Sequence, residues 1–169
     1  MVPPNCLTTS GVPRRLKHFV RDNFTLYKRS VYGLHKRIRP FNTKETYPEQ
    51  NINNNLSQAV VARGNMFFLR GQVSQDLDSR ESLHIGSAKW QTEKTMQNIA
   101  LLLEEAGTTL DSICRILVYL TDVRYREVVY QEMGKCLKGV HPCSTGLLVP
   151  ALARPEWVVE IEVTEVIPD

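Results

Sequence analysis

Apolar residues repeat at helical spacing in two segments of the chain. Ser87 can cap a first helix that runs to about Ala106. Its apolar positions recur at i, i+3, i+4, i+7 and i+10, namely Met96, Ile99, Ala100, Leu103 and Ala106. Gly107 follows in the position where a glycine commonly ends a helix. The pattern therefore predicts a helix with one apolar face.

A second helix is predicted after Thr121 or Asp122, either of which can cap it. Gly139 would end this helix, whose apolar stripe comprises Tyr125, Val128, Val129, Met133 and Cys136.

Runs rich in β-branched and aromatic residues predict the strands. They cover residues 38–42, 58–62, 66–69, 112–120, 143–149 and 157–167. Pro40 confines the first of them to a sheet edge. Gly64–Asn65 predicts a tight hairpin between the second and third. The order ββ-α-β-α-ββ predicts an α+β fold, with a mixed or antiparallel sheet and both helices on one of its faces.

The last predicted strand has an unusual second face. Val159, Ile161 and Val163 share one side, whereas Glu160 and Glu162 stand among valines on the other side. Carboxylates among valines are typical of an interface or a pocket, and a solvated face remains the alternative.

Charge is distributed unevenly along the chain. Nine Lys/Arg and one acid give residues 1–39 a charge of +8, so the remainder carries −5 within the net +3. The folded body is thus acidic, and nucleic acid is not an expected partner. Residues 1–37 are predicted to be a basic disordered extension, a transit peptide or a mis-called start, with Val31 as an alternative first residue. The folded domain is expected at residues 38–169.

Neither metal chemistry nor a membrane is indicated. The four cysteines lack CxxC spacing and paired histidines, so we expect no metal and no other cofactor. No apolar run approaches the roughly 18 residues of a membrane span, and no secretory segment is evident. These features favour a cytoplasmic protein.

Several short segments together resemble the RidA/YjgF family, also labelled L-PSP endoribonuclease. In chain order they are SQAV (57–60), FLRGQ (68–72), NIALLLEEAG (98–107), LD (110–111), VYLTD (118–122), PCST (142–145) and VEIEV (159–163). The resemblance implies a chorismate-mutase-like fold. It also implies a homotrimer with an inner β-barrel, outer helices and a small-molecule cleft between neighbouring subunits.

The resemblance also implies a chemistry, which this chain matches only in part. Active members hydrolyse enamines and imines, using an arginine in P-x-R-S to bind the substrate carboxylate and a glutamate in the final strand to activate water. Here the glutamate matches Glu160 and the cleft glycine matches Gly71. The arginine position holds Cys143. The neighbouring cleft positions, occupied in the family by serine, tyrosine and asparagine, hold Arg70, Leu56 and Tyr130.

These matches define the candidate site. Glu160 and Cys143 are the candidate catalytic residues, and Arg70, Gly71, Leu56, Tyr130 and Thr145 are the candidate ligand-binding residues. His141, two residues before Cys143, would share its strand face and could activate the thiol. Arg70 could replace the missing arginine from another wall. The alternatives are a structural carboxylate, a small buried thiol and a surface arginine.

The sequence therefore predicts a RidA-like homotrimer that binds a small anionic organic ligand. It is either an enamine or imine deaminase of weak or altered specificity, or a non-catalytic ligand-sensing or chaperone-like trimer. RNA cleavage is not expected, because the sequence shows no aromatic-interleaved basic stripe and no catalytic histidine pair.

Overall fold

The computed structural model describes residues 35–167. The three interpretations of the basic N-terminal stretch concern residues that lie almost entirely outside this range. The first strand begins at Lys36. It therefore begins two residues before the strand predicted at residues 38–42.

Six strands and three helices make up the described chain. The strands are β1 (Lys36–Asn42), β2 (Asn55–Val61), β3 (Asn65–Gln72), β4 (Ile113–Leu120), β5 (Cys143–Leu148) and β6 (Val159–Ile167). The helices are the single turn α1 (Thr43–Thr46) and the longer α2 (Ala88–Glu105) and α3 (Arg126–Cys136).

A four-stranded mixed sheet with the order β3-β6-β4-β5 forms the body of the fold. Its β4–β5 pair is parallel, and the β3–β6 and β4–β6 pairs are antiparallel. β1 and β2 form a separate antiparallel hairpin. The hairpin lies beside β5, because the Ser57 amide donates to the Pro142 carbonyl at 3.0 Å.

The predicted hairpin between residues 58–62 and 66–69 is wrong. β2 pairs with β1, whereas β3 pairs with β6 from the far end of the chain. Gly64 does turn the chain with a φ of 139°. A turn signal indicates where the chain bends, but the hydrogen-bonding partners of the two strands are decided by contacts distant in sequence.

The predicted signals at the ends of α2 are confirmed, whereas α3 begins later and ends earlier than the sequence predicted. Ser87 Oγ accepts from the Trp90 amide at the start of α2, and Gly107 follows that helix with a φ of +77°. Asp122 accepts from the Arg124 amide, so it caps a 3₁₀ turn (Val123–Tyr125) that leads into α3.

Both long helices pack on one face of the sheet, which confirms the predicted α+β layering. Val159, Ile161 and Val163 have 0%, 0% and 1% exposure in the resulting core. α2 contributes Met96, Ile99 and Leu103, and α3 contributes Val129, Met133 and Cys136. Each fully buried aliphatic side chain contributes about 1.5–3 kcal/mol of burial. Within residues 35–167, no helix is both long and apolar enough to cross a bilayer.

Candidate functional site

The face of the sheet that the helices leave uncovered carries most of the candidate site; we call it the open face. Strand register and alternation assign its residues. They are Phe68 and Arg70 on β3, Glu160, Glu162 and Thr164 on β6, Arg115, Leu117 and Tyr119 on β4, and Cys143, Thr145 and Leu147 on β5. The glutamates are half-buried, whereas Phe68 and Leu147 have 70% and 43% of their surface exposed.

Arg70, Gly71 and Glu160 lie together on the open face. The β3–β6 register shifts between Leu69 and Gln72, which places Arg70 and Gly71 in a bulge. The Glu160 carboxylate lies directly over Gly71, so that a Cβ at this position would overlap Oε1. Glycine is therefore required for the carboxylate to rest against the β3 backbone.

The environment of Glu160 favours its protonated form. Burial raises the pKa of its carboxyl group above the usual range. The positive charge of Arg70 opposes this rise in pKa, and the neighbouring Glu162 adds to it. Glu162 itself accepts a hydrogen bond from the Tyr119 hydroxyl at 3.3 Å. Glu160 thus has a charge partner in Arg70 and the raised pKa typical of groups that exchange protons in catalysis.

Cys143 begins β5 and carries a free thiol. Its register partner on β4 is Arg115, which is exposed on the same face. Arg37 on β1 interacts electrostatically with the sulfur of Cys143 and with that of Cys114. The Arg37 guanidinium also donates to the carbonyls of Ile113 and Asp111, at 2.9 and 3.1 Å. Two arginines therefore flank the position at which the expected arginine is missing.

The expected pairing of His141 with Cys143 on one strand face does not occur. His141 precedes β5 and has a left-handed φ of 55°. Its Nδ1 lies 3.4 Å from the Leu56 carbonyl. Strand alternation thus gives no reason to place the imidazole beside the thiol.

The remaining candidate residues occupy different places around β5. Leu56 lies on β2, close to the chain that leads into β5. Thr145 is exposed on the open face. Tyr130 packs on the helix-covered side, where its hydroxyl group fills the space next to Gly146. Tyr130 therefore does not share a face with Glu160.

The candidate residues other than Tyr130 fall into two groups. We call Arg70, Gly71 and Glu160 the β6 group, and Leu56, Cys143 and Thr145 the β5 group. Cys143 pairs with Arg115, which pairs with Thr164, and Glu160 lies four residues further along β6. Two strand spacings and four residues of rise separate the Cα atoms of Cys143 and Glu160 by about 17 Å. One subunit alone does not bring these two side chains together.

No cluster of metal ligands accompanies either group. Across residues 35–167, no three His, Cys, Asp or Glu side chains are placed to hold a metal ion.

Comparison with known proteins identifies the fold and its relatives. The family model described as Endoribonuclease L-PSP matches residues 48–167, which is most of the chain. The chain belongs to the RidA/YjgF family. Its resemblance to that family, inferred from short segments, is thereby confirmed.

The relatives of this RidA/YjgF protein include archaeal and bacterial proteins. A RutC family protein of Pyrococcus abyssi is 39% identical over 83 residues, which are 47% of this chain and 64% of the relative. A RutC family protein of Pyrococcus horikoshii is 39% identical over 63% of this chain and 82% of its own length. The crystal structure of RidA from an Antarctic Psychrobacter species superposes with a TM-score of 0.57 and 33% identity, covering 66% of this chain and 87% of that one.

In this RidA/YjgF protein, two arginines lie near Cys143 that the sequence analysis did not place there, namely Arg37 and Arg115. Arg37 was grouped with the basic N-terminal stretch, although it belongs to β1. Arg115 interrupts the apolar run SICRILVYL, and a lone cation there indicates that one face of the strand is not core. That signal could have identified Arg115, whereas the reach of Arg37 to β4 depends on the tertiary fold.

Proposed function

We propose that this protein is a homotrimer that binds small anionic organic molecules in clefts between subunits. In each cleft the β5 group of one subunit faces the β6 group of its neighbour. We propose further that the protein hydrolyses carbon–nitrogen double bonds with weak or altered specificity. The observation that carries the proposal is the Glu160 carboxyl group, seated over Gly71 beside Arg70, with a raised pKa.

The separation of the two groups supports assembly. Cys143 and Glu160, with Cα atoms about 17 Å apart, cannot both contact one small substrate, so a shared site needs a second subunit. The open face also presents exposed Phe68 and Leu147 beside half-buried glutamates. Association would remove this apolar surface from water.

Arginines on both the β6 side and the β5 side of the proposed cleft favour an anionic ligand. Arg70 belongs to the β6 side, and Arg37 and Arg115 flank Cys143 on the β5 side. Arginine binds carboxylates through a planar fork of donors. Cys143 itself has no such fork, so ligands of this protein should differ from those of arginine-bearing relatives.

The proposed reaction uses Glu160 to transfer protons. For 2-aminoacrylate in its imine form, the oxygen of water forms a bond to the imine carbon while the Glu160 carboxylate accepts a proton from that water. The carboxyl group then returns a proton to the nitrogen. Glu160 then relays the proton of the new hydroxyl group to the nitrogen, so that the carbonyl forms as the carbon–nitrogen bond breaks, which releases ammonia and leaves pyruvate. A raised pKa suits this exchange, because the group must both take and give a proton near neutral pH.

Two substitutions test this function. With 2-aminoacrylate generated in situ, Glu160→Gln should lower turnover about 100-fold or more, because general acid–base groups contribute on that scale. Cys143→Arg should tighten binding of pyruvate by about 10- to 150-fold, since it adds a charged hydrogen bond. Turnover is followed by ammonia release, and binding by calorimetry.

Glu162→Gln is the matched control, because it removes a carboxylate from the same face two residues away and should leave turnover within a few-fold. Turnover that survives in Glu160→Gln would contradict the catalytic role. Wild-type protein that binds pyruvate without hydrolysing the imine would favour the alternative of a non-catalytic ligand sensor.

A further inference from the structure

A second concave site lies away from the open face, between the β1–β2 connection and α3. It is a cleft of about 500 Å³, within the range of small-molecule sites. We call it the amide cleft, since it is lined by the amide side chains Asn42, Asn51, Asn53, Asn55 and Gln131. Lys44, Lys135 and Lys138 also line it, with Ile52 and Gly134. Four of the five residues of the run NINNN (51–55) thus form one wall.

Hydrogen bonds fix the orientation of the amides. Asn42 Nδ2 donates to Oδ1 of Asn53 and to Oδ1 of Asn55, at 2.8 and 2.7 Å. Because their oxygens face Asn42, the NH₂ groups of Asn53 and Asn55 are left as donors, and neither donates to another described residue. The wall is therefore a preorganised pair of hydrogen-bond donors.

Close packing holds this wall against α3. Asn54 Nδ2 donates to the Tyr130 carbonyl at 2.8 Å, and Gln131 Nε2 donates to the Asn51 carbonyl at 3.0 Å. Gly134 lets the Asn53 backbone approach the helix, since a Cβ there would overlap the Asn53 carbonyl. The cleft is thus built by contacts between two elements, rather than by a loose loop.

The charge of the cleft is positive. Three of the six lysines in residues 35–167 line it, and no carboxylate does. Lys135 forms an ion pair with Glu132 at 2.6 Å, whereas Lys44 and Lys138 have no ion pair in the described part of the chain. Glu127 accepts hydrogen bonds from two residues of the lining, Asn51 and Gln131. Two unpaired ammonium groups therefore adjoin the two free amide donors.

We propose that the amide cleft binds the phosphate group of a small phosphorylated molecule. Ammonium groups and neutral N–H donors together satisfy the several oxygens of a phosphate, and the absence of a carboxylate from the lining removes a repulsive neighbour. This site is independent of the proposed imine chemistry. It lies against Gln131 and Gly134 of α3, whereas Glu160 and Cys143 lie on the four-stranded sheet.

Pyrophosphate is the probe for this site, measured by calorimetry on the full-length protein. The double variant Lys44→Gln/Lys138→Gln should bind it about tenfold more weakly, as expected for two exposed ion pairs. Lys89→Gln/Lys94→Gln removes the same charge from α2 and should leave the affinity within about twofold. Asn55→Asp keeps the acceptor for Asn42 but replaces a donor with a negative charge, so it should weaken binding further.

Binding itself is the required readout, because Lys135 and Lys138 also lie where cations stabilise the C-terminal end of α3. Citrate and a single-stranded oligoribonucleotide serve as competing probes. Saturable pyrophosphate binding that weakens with salt and is about tenfold weaker in Lys44→Gln/Lys138→Gln supports the proposal. It is overturned if wild type shows no saturable pyrophosphate binding, if both double variants lose affinity equally, or if citrate or the oligonucleotide binds through these lysines and pyrophosphate does not.

Discussion

Glu165 shows at the scale of one residue how burial controls a charge. It lies on β6 with 0% exposure, and its Oε1 accepts a hydrogen bond from the Thr108 hydroxyl. Burial raises the pKa of this carboxyl group, although hydrogen bonds from Thr108 and Ser112 oppose the rise. The folded protein therefore holds the proton of Glu165 more tightly than the unfolded chain does.

This raised pKa predicts a pH dependence of stability. The contribution of protonated Glu165 is fully present below the unfolded pKa of about 4.3 and is lost as pH rises through the higher folded pKa. Glu165→Gln keeps the acceptor for Thr108 and cannot ionise. The unfolding temperature of this variant should therefore fall less than that of wild type as pH is raised from 4 to 8. Each kcal/mol of difference in the free energy of unfolding corresponds to about 2–4 °C in the unfolding temperature.

The exposed Glu104 on α2 provides the control, since Glu104→Gln should keep the wild-type slope. Parallel curves for Glu165→Gln and wild type would show that Glu165 does not titrate differently in the folded state.

At this scale the sequence predicted individual site residues but not which of them lie in contact. Gly71 and Glu160 were singled out separately, and the structure places them in contact. The contact depends on the β3–β6 register, which pairs residues about 90 positions apart, so it could not be read from either segment. The same reason explains why Arg37 was missed beside Cys143.

At the scale of elements, the bulge in β3 is the feature that positions the candidate catalytic carboxyl group. Gly71→Ala would place a methyl group where the Glu160 carboxylate lies. We expect it to destabilise the fold by about 1–3 kcal/mol and to lower turnover to the level of Glu160→Gln. Chemical denaturation and ammonia release measure the two effects.

Combining the substitution with Glu160→Ala separates a local clash from a general strain on β3. The second change removes the atoms that the methyl group would meet. Gly71→Ala should then cost less than about 0.5 kcal/mol in the Glu160→Ala background. An undiminished cost in that background would place the strain in the backbone and contradict the seating of Glu160 on Gly71.

Elements whose signals are local were predicted closely. α2 begins after Ser87 and ends before Gly107, because a cap, an apolar stripe and a left-handed glycine all lie within one segment. The hairpin predicted at Gly64–Asn65 was wrong, because β2 finds its partner in β1 and β3 finds its partner in β6. Strand pairing is a tertiary choice that a turn signal does not decide.

At the scale of the whole molecule, the proposed function requires two separate groups of one chain to act as halves of a site. The β6 group has the carboxyl group and Arg70, and the β5 group has Cys143 with its flanking arginines. A trimer would join them and cover the open face. The sequence predicted the valine-and-glutamate face that motivates assembly, but the distance between the halves emerged only from the strand order.

The proposed trimer is tested most directly by the molar mass of the full-length protein in solution, determined by light scattering at several concentrations. Three chains of 19.3 kDa give a mass of about 58 kDa, which we predict to be constant on dilution through the micromolar range. A stable, soluble species with the mass of one chain would contradict the account, because a monomer would leave Glu160 and Cys143 in separate, incomplete sites.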